Sequence, residues 1–231
     1  MKKSGKAKKI GVLLMFYLII LINTVRAQIG IDLIGSQQKF INWDDVITDY
    51  ATEEYHFLRF NYGAGINYWF RLKNYRVEFT PGIYYLYSDF KFDNPDCSFI
   101  YHNHTAGVEF DSNIYPFELR KKSYEKDCPS FSTRGEYFPK SFFIQVSPGV
   151  YGAYRDVTQM YIEDFDIAGK LDFGIGLDMK LTQRIIIAPI IKYGFAFLND
   201  WKGFSEFHAE ESYNDKTPGH YVSLVISLYI K

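Results

Sequence analysis

Between Lys170 and Leu181 the chain reads KLDFGIGLDMKL, in which Leu171, Phe173, Ile175, Leu177, Met179 and Leu181 alternate with Lys170, Asp172, Gly174, Gly176, Asp178 and Lys180. A period of two marks a β-strand, because successive side chains point to opposite faces of the pleat. The alternation leaves open which face meets water. Seven further segments carry the same signal. They begin at Gln28 (QIGIDLIG), near His56 to Phe70, near Tyr75 to Tyr87, at Thr105 (TAGVEFDSNIYPF), near Ser141 to Tyr154, at Arg184 (RIIIAPIIKYGFAF) and at Tyr221 (YVSLVISLYIK). The opening stretch belongs to a segment starting about Phe165, which makes eight strands in all.

Several segments alternate for well over ten residues, whereas strands of soluble domains average about five or six. A strand crossing a bilayer at its usual tilt needs about 9 to 11. The joints also differ in kind. LKN and TQ are short, while INWDDVITDYATEE, the region from Asp89 to His104, DVTQMYIED and the region from Asn199 to Gly219 are long. Short turns at one end and long loops at the other are the asymmetry of an outer-membrane barrel. The link from Leu119 to Lys140 departs from it, being long at the end expected to carry short turns.

Composition sharpens this picture. The chain holds 20 Tyr and 21 Phe, more than a soluble core requires, and aromatics concentrate at bilayer interfaces. The first 27 residues place lysines at 2, 3, 6, 8 and 9 before an apolar run from Ile10 to Ile22 and then Val25-Arg26-Ala27. This is the pattern of a secretory signal peptide, with cleavage expected after Ala27 and an apolar run too short to span a bilayer. Its loss takes the formal charge from -1 to about -7, by removing five lysines and Arg26. An acidic, exported chain is unsuited to nucleic acid, whose binding depends on neutralising phosphates. The domain expected is 28–231. No later apolar run is long enough for a transmembrane helix, so crossing a membrane would require a closed barrel.

The run GVEFDSNIYPFEL, then DCPSFSTRGEYFPKSFFIQVSPGV, and a last strand at the end of the chain resemble the small outer-membrane β-barrel proteins of Gram-negative bacteria, the porin-like family with OmpA- and OmpX-type eight-stranded barrels. The resemblance runs from Gln28 to Lys231 as a pattern and belongs to a fold rather than to a reaction. It implies an all-β, antiparallel, up-and-down transmembrane barrel in the outer membrane. It also implies assembly by the barrel-assembly machinery through the C-terminal strand. Such chains often end on an aromatic residue; this one ends Tyr229-Ile230-Lys231.

In a membrane barrel the apolar face meets lipid and the charges line the lumen. Glycines recur on the charged face, at Gly63, Gly65, Gly82, Gly149, Gly174, Gly176 and Gly194, as a narrow interior requires. The expected lumen charge network is Asp32, Arg59, Arg76, Glu78, Glu109, Asp111, Asp166, Lys170, Asp172, Asp178, Lys180 and Lys192. Buried charges must be paired, and an eight-stranded barrel has room for side chains and little else. A plugged, polar lumen is therefore expected rather than a diffusion pore.

The remaining candidates are weaker. GAG and GIG lie within strands and lack the helix that a phosphate-binding loop precedes. Cys97 and Cys128 are expected at opposite rims of a layer about 25 to 30 Å thick, too far apart for a disulfide. His102 and His104, with Glu206, Glu210, Glu211 and Asp215, have the right chemistry for a divalent cation but read better as solvated loop residues. A rim site built from His208 or His220, Ser205 or Ser212 and Glu210 lacks any nucleophile motif. The expectation is thus a monomer without cofactor or metal, not an enzyme. Its partners would be outer-membrane lipid and an extracellular ligand of the loops. The alternatives are a rim-located lipid-modifying enzyme and a narrow pore for ions or small solutes.

Overall fold

The computed structural model describes residues 28–40, 60–71, 77–94, 97–118, 141–158, 162–182, 184–200 and 216–230. The segment 1–27, Arg59, Arg76, Cys128 and the residues 201–215 lie outside these, and with them the expected leader, the disulfide question and most of the rim-site residues.

The strands are β1 (Gln28–Phe40), β2 (Phe60–Arg71), β3 (Val77–Asn94), β4 (Cys97–Ile114), β5 (Phe142–Thr158), β6 (Ile162–Leu177), β7 (Met179–Lys180), β8 (Ile185–Asp200) and β9 (Lys216–Ile230), with one 3₁₀ turn at Pro116–Glu118. Neighbours in sequence pair antiparallel except β6 and β7, which both pair with β8, and β1 pairs with β9. Pairing of β6 with β8, from Gly169–Phe197 to Gly176–Ile190, closes the sheet. The two-residue β7 continues β6 beyond a break at Asp178, so the nine elements form eight staves of a closed up-and-down barrel. This is the fold class expected from the alternation.

Alternation in sequence becomes alternation between inside and outside. On β3, Ile83 is 60% exposed, Tyr84 7% and Tyr85 47%. The outward residues of neighbouring strands meet in register, with Ile31 opposite Ile66, Ile66 opposite Ile83, Ile83 opposite Val108 and Val108 opposite Val150. Ile144, Ile175, Ile191 and Leu224 continue this aliphatic belt round the other side. Below it, toward the end holding Gln28 and Ile230, the rings of Phe70, Phe79 and Phe110 pack in series at 5.4 and 5.5 Å. Above it, Tyr62 and Tyr87 pack edge to face at 5.5 Å, with His104 beside Tyr87 at 5.2 Å and beside Tyr154 at 6.2 Å.

Three expected loops are shorter than their sequence suggests. The region from Asp89 to His104 is mostly strand, since β3 and β4 pair without interruption from Val77–Ile114 to Asn94–Cys97. DVTQMYIED is largely strand as well, because β5 runs to Thr158 and β6 starts at Ile162. β8 reaches Asp200 and β9 starts at Lys216, paired across a register shift. The physical reason is common to all three. Beyond the aliphatic belt a strand still needs its hydrogen-bond partner but no longer an apolar outer face, so the period-two signal fades while the ladder continues.

Candidate functional site: the barrel interior

The interior is organised in two storeys. The lower one, near the chain ends, is apolar and aromatic: Trp69, Tyr115, Phe143, Ile186, Ala188, Ile190, Val225 and Tyr229 form one buried cluster. Phe143 is fully buried, and Gly176 on the facing strand makes room for its ring, since any Cβ there would run into that ring. At this level the interior packs rings and aliphatic side chains beside the expected charges Glu78 and Asp178. Polar groups fringe the cluster. Trp69 Nε1 donates to Glu78 Oε2 at 2.7 Å. The Tyr115 hydroxyl lies 2.8 Å from the same Glu78 oxygen and 2.6 Å from Asp178 Oδ2, joining two carboxylates from distant strands.

Above that core lies the ion-pair cluster. Lys170 Nζ reaches Glu109 Oε2 at 2.6 Å and Asp172 Oδ2 at 3.2 Å. Lys192 Nζ reaches Glu109 Oε1 and Asp111 Oδ1, each at 3.3 Å. Glu109 thus uses both oxygens to bridge two ammonium groups. The Tyr221 hydroxyl donates to Asp172, and Lys170 lies 4.2 Å from the centre of the Tyr84 ring. Asn67 Nδ2 donates to Asp32 Oδ2 at 2.7 Å. Arg155, almost wholly buried, lies 3.9 Å from Asp166.

Of the charges expected in the lumen, Asp32, Glu78, Asp111, Lys170, Asp172, Asp178 and Lys192 are buried, and Glu109 and Asp166 are nearly so. Glu109, Asp111, Lys170, Asp172 and Lys192 form one cluster; Glu78 and Asp178 form a second around Tyr115; Asp166 meets Arg155. Lys180 is exposed, because the break at Asp178 interrupts the alternation that would have turned it inward. Arg59 and Arg76 lie outside the described residues. Arg155, Tyr84, Tyr221 and the lower aromatic core were not singled out from sequence. Arg155 falls between the segment ending at Tyr154 and the stretch DVTQMYIED, and Tyr84 and Tyr221 carry no charge that would mark them as lumen residues.

A cavity opens above the ion pairs, with about 750 Å³ of free space including solvent at its mouth. Glu109, Lys170, Asp172 and Lys192 form its floor, and Asn61, Asn103, Tyr151, Arg155 and Tyr221 are among its walls.

Of the histidines expected at the rim, His102, His104 and His220 are among the described residues. His102 and His104 lie within β4 on the outer face, not in a loop. Their Nδ1 atoms are 2.8 Å from the Tyr87 hydroxyl and 2.6 Å from the Tyr85 hydroxyl. His220 lies 6.4 Å from the Tyr193 ring. Among the described residues no three His, Cys, Asp or Glu side chains are grouped to hold a metal ion, and no helix is long and apolar enough to cross a membrane.

No family model matches the chain, and no curated protein does. Among solved structures it is similar to Neisserial surface protein A at 10% identity, covering 89% of this chain and 96% of that one with a TM-score of 0.43. It is also similar to Ail, the attachment invasion locus protein of Yersinia pestis, solved with the heparin analogue sucrose octasulfate, at 11% identity, 88% and 96% coverage and a TM-score of 0.44. CarO2 of Acinetobacter baumannii follows at 8% identity, 87% and 99% coverage and a TM-score of 0.36. At such identities and scores these likenesses carry no functional weight, and the barrel rests on its own strand pairings.

Proposed function

We propose that this chain is an outer-membrane barrel of a Gram-negative bacterium, non-enzymatic, with a closed lumen, which supports the envelope and binds through the end away from its termini. One observation carries the reading. The outer wall is an unbroken aliphatic belt around all eight staves, with Leu33, Ile66, Ile83, Val108, Val150, Ile175, Ile191 and Leu224 each more than half exposed. Soluble monomers rarely expose apolar patches beyond a few hundred Å². Aromatic side chains flank the belt above and below, as they do where a barrel meets both lipid interfaces.

The dimensions agree. Phe79 in the lower ring row and Tyr87 in the upper one are on the same strand, about eight residues apart, which is ~26 Å along the strand. At a tilt near 40° this is ~20 Å along the membrane normal, close to the ~25 Å apolar band of such barrels. Lipid is then the partner of the belt, and the last strand, β9, is the element that assembly machinery would engage. The packed rings of Trp69, Tyr115, Phe143 and Tyr229 in the lower storey speak against the narrow pore, because they fill the cross-section that ions would need.

Membrane fractionation together with electrophoresis before and after boiling tests the reading. The expected result is recovery with outer membranes and a compact, detergent-resistant band that migrates more slowly after boiling. A soluble periplasmic protein with no mobility shift would overturn it. Attachment of cells with and without the protein to host-derived surfaces then tests the binding role.

A further inference from the structure

We infer that the cavity in the upper storey is a binding site for a neutral, polyhydroxylated small molecule of hexose size. This goes beyond the proposed role of the far end and does not depend on it, because the site lies inside the barrel wall.

Strand register places small polar side chains in a ring at one level of the interior. Lys192 is opposite Ser223, Ser223 opposite Ser36, and Ser36 opposite Asn61. Across the barrel Ser88 is opposite Asn103, and Asn103 opposite Arg155. A structural core has no use for so many short hydroxyls and amides at one height, and burying them without partners costs free energy. Yet three of their neighbouring amide atoms are buried without a hydrogen-bond partner: Gln38 Nε2, Asn61 Nδ2 and Asn103 Oδ1. Asn61 and Asn103 are each about 95% buried, and all three residues line the cavity. Asn103 is held in place from its other side, where Nδ2 donates to Thr105 Oγ1 at 3.2 Å and Ser88 Oγ at 3.3 Å, while its carbonyl oxygen is left without a donor.

The charge arrangement selects the ligand class. The two lysines on the floor are engaged by Glu109, Asp111 and Asp172, and Arg155 faces Asp166. An anion would have to compete with internal carboxylates for the lysines, and a cation would have to compete with Lys170 and Lys192 for those carboxylates. A neutral molecule with several hydroxyls meets neither obstacle. Each hydroxyl can both donate and accept, which suits an amide N–H on one wall and an amide carbonyl on another. The tyrosine rings of the walls offer flat apolar surface to the C–H faces of a sugar ring. Much of the free space lies at the open mouth, and the enclosed remainder is of the order of one sugar ring.

Saturation-transfer NMR and titration calorimetry on the purified full chain test the inference. A zwitterionic detergent is required, because sugar-headed detergents would compete. The probes are D-glucose, D-galactose and N-acetyl-D-glucosamine, with citrate and choline as anionic and cationic controls. The expected result is millimolar binding of at least one sugar, about tenfold weaker in Asn103→Ala and in Asn61→Ala, while both variants keep the heat-dependent mobility shift of the folded barrel. Asn113→Ala, which alters a polar residue of the lower storey, is expected to leave the affinity unchanged. Absence of transfer to any of the three sugars would mean a water-filled cavity and would overturn the inference. So would sugar binding insensitive to Asn61 and Asn103, or preferential binding of citrate or choline.

Discussion

Lys170 and Glu109 are 61 positions apart in the chain, and their side chains meet at 2.6 Å inside the barrel. Glu109 also accepts from Lys192, 83 positions away, at 3.3 Å. One carboxylate therefore joins β4 to both β6 and β8, across the sheet's interior rather than along its wall. Removing one member of a buried charge pair leaves its partners uncompensated, at a cost of about 3–5 kcal/mol. Glu109→Ala is expected to lower the temperature at which the folded electrophoretic band disappears by far more than Lys170→Met combined with Glu109→Leu. A smaller loss in the single variant than in the double would show that the network does not hold the barrel.

The Tyr115 hydroxyl is the shared partner of Glu78 and Asp178. Tyr115→Phe keeps the ring in the lower core and deletes the bridge. The expected loss is about 1–3 kcal/mol, the cost of leaving buried acceptors unmet, read from urea unfolding followed by tryptophan fluorescence. Trp69, which donates to the same Glu78 oxygen, reports the local change directly.

The aliphatic belt makes a prediction whose size depends on the solvent outside it. Ile83→Lys or Ile191→Lys is expected to cost about 2–4 kcal/mol if the face is in lipid near the midplane, and little if it is in water. Asp89→Lys, at an exposed position above the upper ring row, is expected to be nearly neutral. Comparing the folded fractions of the three variants in vesicles decides between the two solvents.

Phe143 and Tyr229 fill the lower storey. The unaltered protein is expected to show no single-channel conductance in planar bilayers. Phe143→Ala together with Tyr229→Ala, which removes two rings from the plug, is expected to give intermittent small openings. Gly176→Leu acts in the opposite sense by overfilling the space under Phe143, with destabilisation of about 1–3 kcal/mol.

Which residues face in and which face out was legible in the sequence wherever strands cross the belt, because there one face must be apolar and the period of two is strict. Val222, Leu224 and Ile226 face outward and Ser223 and Ser227 inward, as their alternation implies. The packing of the lower plug was not legible. Alternation puts Phe143 with Gln145, and Val225 and Tyr229 with Ser223 and Ser227, on the inward face, but which inward residues gather into one apolar cluster depends on register between strands. His102 and His104 were read as loop because polar composition resembles loop composition once a strand rises above the belt. Lys180 was assigned to the interior by extrapolating a rhythm through Asp178, where the ladder breaks. The pairing of particular lysines with particular carboxylates depends on inter-strand register, which no single strand's sequence encodes.

The ladder between β3 and β4 continues to Asn94 and Cys97, about seven residues past Tyr87. At ~3.3 Å per residue that is ~23 Å of paired backbone along the strand, which in the proposed membrane setting would lift a surface clear of the headgroups. Its height is set by backbone hydrogen bonds rather than by side chains. Mutational drift at the tip can therefore change what is displayed while leaving its elevation alone, as repainting a signboard leaves its post standing.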